Sequence, residues 1–340
     1  MMNKRILAAA VLGSIGVAGW AMSRLLRSEY SFTGKSVLIT GGSRGLGLSI
    51  ARRLAMEGAR LALLARDEEE LAEACRELNG IGAEAISVPC DLLDRAQSLG
   101  AIETVLDRFG RIDVLINNAG IIEVGPLENM RRQDFEKAMD LHLWAPFNLM
   151  QQTIPHMRRA GGGRIVNISS IGGKVAVPHM APYSASKFAL VGLSDAFRAE
   201  LARDGIKVTT VTPGVMRTGS HVHAKFKGNH GAEYTWFALS ATLPVAAIEA
   251  ERAANSIVEA CRRGQSSLII GLPARVLIAG NALFPSLTGE VVKLVNRFLP
   301  RPPGGEGDEA KSGFEARDEQ QVPGFLARLG QSAVTRHNEA

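Results

Sequence analysis

Cysteine is scarce: three residues in 340, at positions 75, 90 and 261, odd in number and far apart. They supply neither a disulfide framework nor a CxxC pair, which excludes a disulfide-stapled domain and makes a reducing compartment the default. Aromatic residues are also few, at 5 %, against 46 % hydrophobic and 21 % charged residues, a globular balance that excludes a mainly disordered chain. The formal charge of +5 is spread thinly, with no basic run, so no nucleic-acid partner is expected. Glycine, in contrast, is plentiful at 36 copies, which suits a fold with close backbone approaches. The length fits one large domain with appendages better than two full domains.

The longest uncharged run lies near the start. Ile6 to Met22 is apolar or small throughout, between Lys4–Arg5 and Arg24–Arg27. As a helix it would span roughly 25 Å, slightly under a ~30 Å hydrocarbon core. Residues 1–30 are therefore read as an uncleaved membrane anchor and linker, with the rest of the chain in the cytoplasm. A signal peptide cleaved near Ala18–Ala21 and a buried core helix are the other readings.

From Lys35 onward, short apolar runs alternate with helical periods. Strands are expected at Ser36–Thr40, Arg60–Ala65, Ala85–Pro89, Asp113–Ile116, Arg164–Ile168, Val208–Val211 and Ser267–Ile270. Asp67 is placed to cap the helix after the second strand. Continuous apolar strands in repeated β-α-β order predict an α/β fold, a doubly wound parallel sheet with helices on both faces, over residues 31–271. Residues 215–242 mix Gly, His, Lys and aromatics and read as a mobile loop with short helices. Residues 272–299 are apolar but interrupted by Pro273, Gly280, Pro285 and Gly289. They cannot form one straight span, so a lid, a subunit contact in a homo-oligomer or a membrane-surface element is expected. Residues 300–340 are rich in Pro, Gly and acids and read as a mobile tail with a short helix over 322–329.

Thr40-Gly41-Gly42-Ser43-Arg44-Gly45-Leu46-Gly47 lies between the first strand and the first helix. Glycines there permit a tight turn and let backbone N–H groups at a helix N-terminus face a pyrophosphate. With this motif the chain resembles the short-chain dehydrogenase/reductase family, whose pattern is TGxxxGxG. The resemblance accumulates over residues 33–271. Asp91, with Leu92 beside it, matches the acid that touches the adenine ring. Asn117-Asn118-Ala119-Gly120 matches the NNAG element after the fourth strand. Ser170 stands thirteen residues before Tyr183, and Tyr183 to Lys187 is a YxxxK motif. Pro213, Gly214 and Thr218 match the segment that holds the nicotinamide carboxamide. The resemblance implies a Rossmann-type fold, in which 215–242 is the substrate lid, and a nicotinamide-dependent oxidoreductase acting on a ketone or secondary alcohol.

The chemistry suits these residue types. Tyr183 and Lys187, at i and i+4, share one helix face, and a nearby ammonium is expected to lower the phenol pKa toward the working range. Tyr183 can then exchange the hydroxyl proton while Ser170 donates to the carbonyl oxygen; Lys187 would also hold the nicotinamide ribose. His142 departs from the family, which carries an Asn there to support a water on the proton path. Ala65 ends the second strand where an NAD-preferring member has an acid, and Arg66 follows it. Arg66 and Arg44 can clasp a 2′-phosphate, so the expected cofactor is NADP(H). His221, His223 and His230 are not joined by an acid or Cys that would close a metal site, and no metal is expected. A hydrophobic carbonyl or alcohol substrate, steroid-, retinoid- or acyl-like, is expected from the apolar appendages. A 3-oxoacyl reductase of lipid synthesis, a non-catalytic NADPH-binding sensor or scaffold, and a sugar-nucleotide epimerase are the alternatives; the epimerase branch usually shows a TGxxGxxG spacing that this chain lacks.

Overall fold

Seven apolar segments pair side by side in a computed structural model of the chain, which describes residues 30–242, 247–303, 307–317, 334 and 336–339. They are β1 (Ser36–Thr40), β2 (Arg60–Ala65), β3 (Glu84–Pro89), β4 (Val114–Asn117), β5 (Gly163–Ile168), β6 (Ile206–Pro213) and β7 (Ser267–Ile270). Every pairing is parallel, in the order β7-β6-β5-β4-β1-β2-β3. The order reverses between β1 and β4, so the turns leaving those two strands part at their carboxyl ends and open a crevice.

The helices between the strands are α1 (Gly45–Ala55), α2 (Glu68–Gly80), α3 (Arg95–Phe109), α4 (Arg132–Met139), α5 (Ala145–Arg159), α6 (Ala181–Leu201), α7 (His230–Thr242) and α8 (Ala250–Arg263). Asp67 caps α2, accepting from the N–H groups of Glu69 and Glu70, as its place in the sequence suggests. Asp94 does the same for α3. One continuous core joins the sheet to α3, α5 and α6 through Leu38, Leu64, Val105, Leu115, Leu149 and Ile165, all 1 % exposed or less. Strands β1 and β4 are buried along their whole length, which is what an apolar strand covered on both faces requires.

Two readings differ from the sequence expectation and one agrees with it. Residues 215–242 are not one loop: two-residue strands at Met216–Arg217 and Lys225–Phe226 lead into the thirteen-residue α7. The 272–299 segment is broken as expected, into α9 (Leu272–Leu283) and α10 (Pro285–Asn296). The tail, read as mobile, is partly bound: Lys311–Ser312 pairs antiparallel with Lys225–Phe226, and His337 and Glu339 are only 2 % and 4 % exposed. The helix expected over 322–329 and the anchor expected before residue 30 fall outside the described residues. Among the described residues no helix is long and apolar enough to cross a membrane.

Candidate active site

The crevice is built first by backbone. Gly47 approaches the turn after β1 so closely that a Cβ would lie 1.9 Å from the Gly41 carbonyl oxygen. Gly45, with φ +57°, starts α1 in the left-handed region, so both positions demand glycine. The Asn118 amide donates to the carbonyls of Thr40 and Gly41, each at 3.0 Å. In return Thr40 Oγ1 accepts the N–H groups of Asn118 and Ala119 at 2.9 and 3.0 Å. The turns after β1 and β4 are thereby locked together at the reversal of strand order. Leu46 and Leu92 are buried, and the Asp91 carboxylate takes the Leu93 N–H at 3.0 Å. On the other side Gly214 follows Pro213, the last residue of β6, and its N–H donates to Ile270 at 2.9 Å. Thr218 Oγ1 donates to Ser220 Oγ at 2.9 Å.

The N-terminus of α1 holds an acidic group, which tests whether this cradle suits a diphosphate. The Gly45 N–H donates to the His337 carbonyl at 2.8 Å, and the Asn338 amide donates to Ser43 at 3.3 Å. A Cβ on Gly45 would lie 2.5 Å from Glu339 Oε1. The same carboxyl is 3.6 Å from Arg44 Nε and 3.2 Å from His223 Nε2. Burial pushes Glu339 up to about 7, Arg44 pulls it down and Glu70 pushes it up. An acid of the chain thus sits where a helix N-terminus and a guanidinium converge, the chemistry a phosphate group would use. The donor set fits the diphosphate of a dinucleotide. Arg44 also pairs with Glu70 at 2.7 Å, and Ser43 donates to the same carboxylate at 2.9 Å. Glu70 was not anticipated from the sequence. Arg66 is exposed just past the end of β2. The three histidines around α7 are engaged separately: His221 lies against Tyr234, His223 on Glu339 and His230 on the Glu309 carbonyl.

Ser170, Tyr183, Lys187 and His142 come together at the same sheet edge. Tyr183 lies in the first turn of α6 and Lys187 one turn on, with Nζ 5.7 Å from the phenol ring centroid. The Lys187 ammonium donates to the Ile168 carbonyl at the end of β5, at 3.0 Å. Burial lowers Lys187 to about 7. Burial also raises Tyr183 above its ordinary value, and the hydrogen-bonded Ser170 hydroxyl pulls it partly back. This differs from the expected phenol depressed by its lysine: desolvation is the largest effect on Tyr183, and the group that opposes it is Ser170.

His142 sits on a π-helical turn, Asp140–Trp144, inserted between α4 and α5. The wider turn aims the imidazole inward, where it is 1 % exposed and meets Tyr183 edge-on at 5.5 Å. Nε2 accepts the Ile121 N–H at 3.1 Å, which assigns the ring proton to Nδ1, 2.7 Å from Ser186 Oγ. Ser186 in turn donates to the Tyr183 carbonyl at 2.9 Å. Burial first and Lys187 second hold His142 well below its ordinary value, so it is neutral. A Cβ on Gly120 would meet His142 Nε2 at 3.0 Å and Lys187 Nζ at 3.6 Å, so the NNAG turn passes directly over both. Ser186 carried no motif signal, although its place inside YSASK is fixed by the helix that bears Tyr183 and Lys187.

The wall beside Tyr183 is apolar. Ile122, Val177, Met180, Phe226, Trp236 and Phe237 cluster there. Beneath it, Trp236 Nε1 and His179 Nδ1 contact the fully buried Glu233 at 2.6 and 2.8 Å.

Comparison with known proteins agrees with this geometry. The short chain dehydrogenase family model matches residues 35–227, more than half of the chain. A ketoacyl reductase, HetN, of Nostoc sp. is 40 % identical over 196 residues, covering 57 % of this chain and 68 % of its own. The SadH protein of Mycobacterium tuberculosis is 34 % identical over 273 residues, 79 % of this chain and 98 % of its own. A solved structure of L-sorbose reductase from Gluconobacter frateurii, complexed with NADPH and L-sorbose, matches with a TM-score of 0.65 and 27 % identity, covering 72 % of this chain and 97 % of that one. With a parallel seven-stranded sheet, a glycine-rich turn at its reversal point and this family match, the chain belongs to the short-chain dehydrogenase/reductase family and is an oxidoreductase with a nicotinamide-dinucleotide site.

Proposed function

We propose that the protein reduces a ketone on a hydrophobic molecule to a secondary alcohol, using NADPH and with Tyr183 as general acid. The observation that carries this reading is the convergence of the half-buried Ser170 and Tyr183 with the buried Lys187 against an apolar wall. Burial keeps the Tyr183 phenol protonated near neutral pH, the form that donates to a carbonyl oxygen as negative charge grows there. The Ser170 hydroxyl, already in contact with the phenol, donates to the same oxygen and stabilises that charge. Lys187, near its midpoint at neutral pH, can return a proton to Tyr183 and reach the ribose of a bound dinucleotide. The nicotinamide, when bound, supplies the hydride. His142 and Ser186 position Tyr183 by fixing the first turn of α6.

NADPH is favoured over NADH because the last residue of β2 is Ala65, where an NAD-preferring member has an acid, and the exposed Arg66 follows it as a partner for a 2′-phosphate. Ser43, Arg44, Gly45, Leu46 and Gly47 would hold the diphosphate, Asp91 and Leu92 the adenine, and Pro213, Gly214 and Thr218 the nicotinamide amide. A 3-oxoacyl group is the favoured substrate within this class, since a ketoacyl reductase is among the similar proteins and an acyl chain suits the apolar wall. The run Ile6–Met22 would tether the domain to a bilayer from the cytoplasmic side.

The test is NADPH oxidation against a panel of 3-oxoacyl thioesters, steroid ketones and retinal, run in parallel with NADH. The expected result is turnover of at least one long-chain ketone, with NADPH preferred by at least about tenfold in kcat/KM, the effect of one charge-assisted contact. Tyr183→Phe should lower turnover by about 10²–10⁴-fold while leaving NADPH binding nearly intact. Turnover within tenfold of the parent would remove Tyr183 from the role.

A further inference from the structure

Helices α9 and α10 keep their apolar side chains outside. Between Leu272 and Phe298 only Ala274 and Thr288 are buried. Leu272, Leu283, Leu287 and Phe298 are 73 %, 72 %, 63 % and 81 % exposed. Along α10 and just past its end, Leu287, Val291, Leu294, Val295 and Phe298 recur at helical spacing and form one stripe. Such a contiguous patch marks a surface that meets something other than water. The charges along this segment are mostly positive. Arg275, Lys293, Arg297 and Arg301 stand against a single acid, Glu290, which already pairs with Lys293 at 2.6 Å.

The hairpin is joined to the active site. A Cβ on Gly214 would lie 3.2 Å from the Ala274 Cβ, and the Asn281 amide donates to the Lys174 carbonyl at 3.2 Å, four residues past Ser170. Both contacts fall at the carboxyl edge of the sheet, where Tyr183 and the glycine-rich turn also lie.

We propose that α9 and α10 form a membrane-surface element that seats the mouth of the active site on an anionic lipid bilayer. Each helix has twelve residues and is roughly 18 Å long, too short for a ~30 Å hydrocarbon core, so the pair lies in the interface with its apolar stripe among the acyl chains. A second copy of this chain fits less well. A two-fold contact apposes the same patch with itself, which would bring eight cations together with two acids that are already paired. An anionic leaflet complements them instead. The surface does not depend on the reaction proposed above, although it would admit a lipid-dissolved ketone directly.

The experiment labels the full chain at Phe298→Cys with a polarity-sensitive fluorophore; the native cysteines are all buried. Met56→Cys is the control: Met56 is 69 % exposed at the far end of α1, on the opposite edge of the sheet. The labelled proteins are incorporated into phosphatidylcholine/phosphatidylglycerol vesicles carrying chain-attached nitroxide quenchers. Quenching at position 298 at least threefold stronger than at 56, and weaker in pure phosphatidylcholine, supports the proposal. Equal quenching at the two positions overturns it. So does a label at 298 that is shielded equally with and without vesicles in a dimer of this chain, which would assign the hairpin to a second copy. Lys293→Glu with Arg297→Glu should reduce the quenching without altering turnover of a water-soluble ketone, which separates lipid docking from failure of the catalytic reading.

Discussion

Lys187 is 5 % exposed, and its ammonium faces the Ile168 carbonyl with the neutral His142 and the phenol of Tyr183 around it. None of these neighbours is an anion, so desolvation is unopposed and the pKa falls from 10.5 to about 7. The sign of its effect on stability follows. Between about 7 and 10.5 the unfolded chain carries this proton and the folded chain does not, so the penalty of burying the amine is absent above that window and complete below about 7. Stated as linkage, folding free energy should improve as pH rises through that window. Lys187→Met, which keeps the stem and removes the titrating group, should flatten the rise. Urea unfolding of both proteins at pH 7 and pH 9 measures it, and an unchanged slope with pH would contradict the buried, unpaired ammonium. Ser170, Tyr183 and Lys187 were legible in the sequence because their spacings form a motif. The direction of the Tyr183 shift was not, because it depends on how much water the folded site excludes. Ser186 was invisible because a serine linking a ring nitrogen to a helix carbonyl has no spacing of its own.

Among the elements, the long ones were legible and the short ones were not. Three strands match their expected bounds, Ser36–Thr40, Arg60–Ala65 and Ser267–Ile270, because unbroken apolar runs between helical periods have one economical reading. The pairings of Glu123–Val124 with Lys225–Phe226 and of Lys225–Phe226 with Lys311–Ser312 join segments about a hundred residues apart, and two residues carry no periodicity. The bound C-terminal segment was hidden in the same way. Its contacts to Ser43, Gly45 and Arg44 occupy the cradle proposed for the diphosphate, so segment and dinucleotide would compete there. Removing residues 334–340 should therefore tighten NADP(H) binding, measured by fluorescence titration. Glu339 gives that competition a pH dependence. Facing Arg44, Glu70 and His223, its carboxyl is raised from 4.5 to about 7, so the docked state takes up a proton and is favoured at acid pH. Across that window each unit of rising pH weakens docking by up to ~10-fold. The gain on truncation should be larger at pH 6 than at pH 8, and Glu339→Gln should lose the pH dependence. A gain independent of pH would show that Glu339 is not the titrating contact.

Over the whole molecule, burial is sharply uneven, and stability should follow it. Strands β1 and β4 are buried at every residue and lie between neighbours on both sides, so their amides can exchange with solvent only when the sheet opens. Helices α9 and α10 have one buried residue each, and little apolar contact is lost when they fray. Opening of such a region costs about 0–3 kcal/mol, whereas exposing the central strands requires most of the ~5–15 kcal/mol of global stability. Hydrogen exchange followed by mass spectrometry should thus find peptides covering 272–299 exchanging orders of magnitude faster than those covering 36–40 and 114–117 in solution. Anionic vesicles should slow the 272–299 peptides and leave the central strands unchanged, because lipid supplies the apolar contact that the domain does not. The same comparison tests the glycine-rich turn: saturating NADPH should slow peptides spanning 41–47 without protecting the hairpin. If one ligand protected both regions equally, the hairpin and the cofactor cradle would be a single cooperative unit. The separation of their hydrogen bonds, to Lys174 for the hairpin and between Asn118 and Gly41 for the glycine-rich turn, argues for two.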